Sequence, residues 1–164
     1  MKHQPANPTV PDASDLRIAV VTSRYYEEVT AALRTGATKA FTECGGDPER
    51  LLHLESPGTW ELPVLCSALL RTPDSFDAVV AIGCVIAGET SHDRYINSGV
   101  SDALARLAVR TSTPVAFGVL TCSSMEQALA RAGGDVGNKG RESMLAAIDA
   151  AATIRSLDRP EATT

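Results

Sequence analysis

Apolar residues along the chain fall into short β-branched runs, separated by stretches in which they recur every three or four positions. Residues 16–23 (LRIAVVTS) form the first run, which suits a strand buried on both faces of a parallel sheet. Behind it Val29, Leu33, Gly36 or Ala37, Ala40 and Cys44 mark one face of a helix, and Gly45-Gly46 supplies a C-terminal stop. The pattern then repeats. Residues 50–56 (RLLHLES) read as a second strand, Pro57-Gly58 as a turn, and 60–71 as a helix that tolerates Pro63 in its first turn and is closed by Pro73. The most apolar stretch, 76–87 (FDAVVAIGCVIA), is the natural central strand, followed by a helix with Ile96, Val100, Leu104 and Leu107 on one face. Residues 114–120 (PVAFGVL) give a fourth strand. Ser123 or Ser124 then caps a helix through Arg131, 133–140 (GGDVGNKG) reads as a loop, and Met144, Leu145, Ile148 and Ala152 lie on a last helix.

Four β-α units with short connections and right-handed crossovers predict an α/β fold, a three-layer α/β/α sandwich with a central four-stranded parallel sheet. At 164 residues and 44% hydrophobic content the chain fits one domain, expected over 16–157. Residues 1–15, with Pro5, Pro8 and Pro11 among small polar residues, read as a flexible arm, free to extend a neighbouring subunit's sheet. Residues 158–164 read as a polar tail. A net charge of -5 argues against nucleic acid and anionic membranes as partners. No apolar run reaches membrane-spanning length. Cys44, Cys66, Cys84 and Cys122 form no CxxC pair and have no histidine at metal-ligand spacing, so they read as buried free thiols with no metal. Together with an N-terminus that lacks a charged-then-apolar leader, they favour the cytoplasm.

In open sheets of this kind ligands bind beyond the carboxyl ends of the strands, which directs attention to 23–26, 56–61, 84–92 and 121–124. Residues 83–92 (GCVIAGETSH) place Gly83 and Gly88 near the end of the central strand, then Thr90 and Ser91 where a helix must begin. Unpaired amides and the helix dipole favour an anion there, although a capped turn without ligand fits the same residues. His92 falls in the first turn of that helix, where the dipole favours the neutral ring, able to accept a proton. Residues 57–63 (PGTWELP) offer the apolar face of Trp60 and the carboxylate of Glu61, although a core tryptophan and a helix-start glutamate are the simpler reading of the same residues. Arg131 and Lys139 flank a glycine-rich stretch able to approach a phosphate closely, and plain solvated charges would look alike.

With those residues in view, the chain closely resembles the lumazine synthases from about Arg17 to Ala152. PGTWELP, FDAVVAIGCVIAGETSH, PVAFGVLT, EQALARAG and GNKG stand in that family's order and spacing. The resemblance implies a flavodoxin-like fold and a cofactor-independent transferase that condenses 5-amino-6-ribitylaminouracil with 3,4-dihydroxy-2-butanone 4-phosphate to give 6,7-dimethyl-8-ribityllumazine. It implies that Tyr25 stacks on the pyrimidine, that Thr59, Trp60 and Glu61 hold the ribityl chain, and that Cys84, Val85 and Ile86 meet the pyrimidine edge. Glu89 and Thr90 match the pair at the phosphate, and His92 matches the proton-transfer histidine. Phe117 and Arg131 resemble residues supplied across a subunit boundary, and Lys139 a lysine near the ribityl and phosphate groups.

Three features depart from the family pattern. Arg24-Tyr25-Tyr26 stands for Arg-Phe-Asn, Arg94 for a frequent acidic residue, and Ala87 for a frequent basic one. The resemblance further implies a homo-oligomer, either a pentamer or an icosahedral capsid of twelve pentamers, with riboflavin synthase as a further partner. Two other readings stand beside the enzyme: a flavin- or lumazine-binding paralogue without turnover, and a capsid-like scaffold. A nucleotide-binding domain fits poorly, because the first turn, SRYYEE, lacks a glycine cradle.

Overall fold

The computed structural model describes residues 10–157. Residues 1–9 of the expected arm and the expected tail at 158–164 lie outside them. Within 10–15, Ala13 is buried and its N–H donates to Cys44 O at 2.8 Å.

Four strands, β1 (Ile18–Ser23), β2 (Leu51–Ser56), β3 (Ala78–Ile86) and β4 (Val115–Cys122), form one parallel sheet in the order β2-β1-β3-β4. Side chains alternate between its faces, as strand geometry requires. Ile18 and Val20 of β1 and Val80 and Ile82 of β3 pack on helices α1 (Glu27–Glu43) and α5 (Lys139–Leu157) through Leu33, Phe41, Met144 and Ile148. Ala19 and Val21 face the other way, onto α2 (Leu62–Leu69) and α3 (His92–Thr111), meeting Leu62, Cys66, Val100 and Leu104. Because β1 and β3 are buried on both faces, their sequences are mostly apolar, with Thr22 and Ser23 as buried polar residues at the carboxyl end of β1. This is the expected three-layer α/β/α sandwich, in the strand order of flavodoxin-like sheets.

Local signals end the helices where the sequence suggests. Glu27 and Glu28 complement the positive end of α1, and Gly45 at φ 80° turns the chain out of it while Gly46 N–H returns to Phe41 O at 2.9 Å. Ser124 opens α4 (Met125–Ala130) by a reciprocal cap: Ser124 Oγ accepts from Gln127 N–H, and Gln127 Oε1 accepts from Ser123 N–H. At the opposite, amino end of the sheet, the exposed turn 71–75 leads from α2 into β3.

Two expectations need correction. The helix expected from Trp60 begins at Leu62, because Ser56 Oγ donates to Gly58 O at 2.6 Å and holds residues 58–61 as a turn. The expected loop 133–140 is an antiparallel hairpin, β5 (Ala132–Gly134) with β6 (Gly137–Asn138), running directly into α5 at Lys139. Gly133 and Gly137 take positive φ there, a conformation that L side chains rarely adopt.

Candidate active site

The chain leaves β1 toward β2 on one side and returns to β3 on the other, so a crevice opens at the carboxyl ends of β1 and β3. A cleft of about 430 Å³ lies there, within the range of small-molecule sites. Tyr25 and Tyr26 after β1, Gly58 to Glu61 after β2, and Cys84 to Ile86 with Gly88 and Thr90 on and after β3 line it. His92, Asp93 and Ile96 from the first turns of α3 complete the wall.

Glycines seat the principal side chains. A Cβ on Gly58 would lie 2.8 Å from Glu61 Oε2 and 3.4 Å from the Tyr25 ring, and one on Gly99 would lie 2.8 Å from the Trp60 ring. Hence Trp60 lies flat along α3 with most of its surface open, 60% exposed, and is no core residue. Tyr25 is 66% exposed and presents an aromatic face to the cleft. Thr59 is buried beneath them, packed on Gly83, with its hydroxyl 3.5 Å from Cys84 O. Burial pushes the Cys84 thiol up to about 12, with the neighbouring Cys122 adding to it, so at neutral pH Cys84 presents a neutral wall and backbone groups.

Tyr26 caps α1 from the left-handed region, φ 55° and ψ 54°, its carbonyl accepting from Val29 and Thr30 N–H while its ring turns into the cleft. Strain of this kind gathers at functional sites. Across the cleft, among the described residues, the N–H groups of Gly88, Glu89 and Thr90 donate to no protein acceptor. Together with the α3 N-terminus they form an anion-ready corner. The lining holds two carboxylates, Glu61 and Asp93, but neither lysine nor arginine.

Of the residues singled out in the sequence, Tyr25, Thr59, Trp60, Glu61, Cys84, Val85, Ile86, Thr90 and His92 therefore meet in one cleft. Glu89 projects beside it as an exposed residue. Phe117, Arg131 and Lys139 do not line it. They are tied to one another instead: Lys139 N–H donates to Arg131 O at 2.9 Å, and the Ser143 hydroxyl lies 2.7 Å from Lys139 O and 3.3 Å from Phe117 O. One chain thus carries two separate groups of candidate residues. Gly58, Asp93 and Ile96 were missed by the sequence reading. In the sequence Gly58 reads only as a turn, Ile96 only as core periodicity, and nothing but adjacency to His92 points to Asp93.

A larger groove of about 760 Å³ runs between α2 and α3, past Arg71, Asp102, Arg106 and Arg110, and holds none of these residues. Among the described residues no group of histidine, cysteine and carboxylate side chains could hold a metal ion. No helix there is long and apolar enough to cross a membrane.

Sheet order and cleft define a doubly wound α/β protein whose ligand site sits at its topological switch point. The profile of the 6,7-dimethyl-8-ribityllumazine synthases matches residues 15–155. Similar proteins bearing that same description occur in Streptomyces coelicolor, 44% identical over 93% of this chain and 93% of its own length, and in Thermus thermophilus, 40% identical over 90% and 93%. A third, from Mycobacteroides abscessus, is 42% identical over 93% of each chain. The chain belongs to the 6,7-dimethyl-8-ribityllumazine synthase family.

Proposed function

We propose that the domain spanning 16–157 catalyses the condensation of 5-amino-6-ribitylaminouracil with 3,4-dihydroxy-2-butanone 4-phosphate, the penultimate step of riboflavin biosynthesis. The 5-amino group attacks the ketone and water leaves to give an imine. Phosphate departs by β-elimination, and the ribitylamino nitrogen closes the ring onto the new carbonyl with loss of water. No electrons change hands overall, so the reaction calls for no redox cofactor.

The observation that carries this reading is the convergence, in one cleft at the switch point, of the aromatic faces, the carboxylate, the free amides and the histidine that the family pattern requires. Tyr25 stacks on the pyrimidine, Thr59, Trp60 and Glu61 hold the ribityl chain, and Cys84, Val85 and Ile86 present backbone groups to the pyrimidine edge. The amides near Glu89 and Thr90 receive the phosphate. His92 moves the proton. A phosphate needs cationic partners as well as amides, and the cleft of one chain has none. Phe117, Arg131 and Lys139 reach it from an adjacent subunit, which makes a cytoplasmic homo-oligomer the working form, a pentamer or a shell of pentamers. Riboflavin synthase, which consumes the product, is the corresponding partner.

Purified protein mixed with both substrates should generate the fluorescent lumazine faster than the substrates react alone. A rate equal to the uncatalysed one, with substrates still bound, would leave the binding-module reading in its place.

A further inference from the structure

We propose that Asn138, which lies outside the cleft, is a positioning residue that sets where Arg131 and Lys139 stand. This rests on the reading above, in which those two cations serve an adjoining subunit's phosphate site. Its side-chain amide ties three elements together. Nδ2 donates to Ala32 O on α1 at 3.0 Å and to Ala132 O across the hairpin at 3.1 Å, while Oδ1 accepts from Arg141 N–H in the first turn of α5 at 3.0 Å. Every hydrogen-bonding group but one lone pair of the amide is thereby used, and α5 receives its N-cap.

The partner surface is shaped to receive it. A Cβ on Gly36 of α1 would meet Asn138 Oδ1, Cγ and Nδ2 head-on, and one on Gly140 would strike the Leu33 carbonyl. Helix α1 therefore lacks a side chain at the one place where the amide must reach its backbone.

The hairpin has little else to fix it. Three of its residues are glycines, Ala132 is its sole buried side chain, and a two-stranded hairpin is marginal unaided. Arg131 immediately precedes β5 and Lys139 immediately follows β6, with their backbones bonded to each other. The Asn138 anchor thus fixes both cations relative to the body of the domain. Pure destabilisation would not distinguish the two substrates; displaced cations would.

The test compares Asn138→Ala, Gly36→Ala and the double variant, all neutral changes outside the cleft. In each single variant KM for the phosphorylated ketone should rise about tenfold, the equivalent of one charge-assisted contact, and clearly more than KM for the pyrimidine, whose ribityl chain borders Lys139 alone of the two cations. Inorganic phosphate, titrated calorimetrically, should weaken in step. Because both substitutions break one contact, the double variant should be no worse than Asn138→Ala alone. Equal shifts in both KM values, additive losses, or a fall in thermal stability alone would overturn the proposal. Should Asn138→Ala fail to fold, Gly36→Ala decides by the same split. If the unaltered protein makes no lumazine, the reaction assignment fails, and phosphate titration of the same variants still judges the role of Asn138.

Discussion

His92 opens α3 at the rim of the cleft, beside free amides and across from exposed aromatic faces, so it can move a proton but cannot by itself align two substrates. Alignment is worth up to about 7 to 11 kcal/mol of barrier, whereas a general acid or base contributes on the order of 10²- to 10⁴-fold. His92→Ala should accordingly slow turnover within that range, measured at saturating substrate, without abolishing it. The thiols behave differently. Burial pushes Cys66 and Cys84 up from the ordinary 9.0 to about 12 in the folded chain. As pH rises past 9 the unfolded chain sheds these protons first, so their contribution to stability is intact below 9 and is lost on the way to 12. Denaturant midpoints should decline across that window, and a thiol reagent at pH 8 should label these two residues only on unfolding.

Packing of α5 on α1 needs a glycine at 140 beside its apolar contacts, since any side chain at Gly140 collides with backbone and not with a movable group. Gly140→Ala should cost about 1 to 3 kcal/mol or more, read as a fall in Tm of roughly 2 to 4 °C per kcal/mol. Elements with an apolar signature were legible in the sequence: four strands and the long helices stand close to where apolar runs and three-four spacing put them. The β5–β6 hairpin was not, because three glycines and an asparagine offer no apolar run to read, and the Asn138 amide that ties it to α1 finds its acceptor more than a hundred residues away. Likewise Tyr25, Trp60 and His92 were legible as cleft residues because they lie in the connections that follow the carboxyl ends of strands. Ile96 reads as core from its spacing, since periodicity reports which face of α3 it occupies and not that the top of this face borders the cleft.

At the scale of the molecule, the cleft holding His92 and the cluster of Phe117, Arg131 and Lys139 are distinct regions of one chain. If neighbours complete each other, a mixed assembly of His92→Ala and Arg131→Ala subunits should exceed the mean activity of the two pure variants, because some interfaces then pair two intact halves. Activity equal to that mean would place both groups in a single subunit's function. The opposite end of the sheet carries none of this chemistry. There the turn 71–75 is exposed along its whole length and bridges two elements that are each anchored independently in the core. A peptide spliced into that turn would hang from the scaffold like a flag on a mast, presenting foreign cargo at the pole farthest from the catalytic mouth.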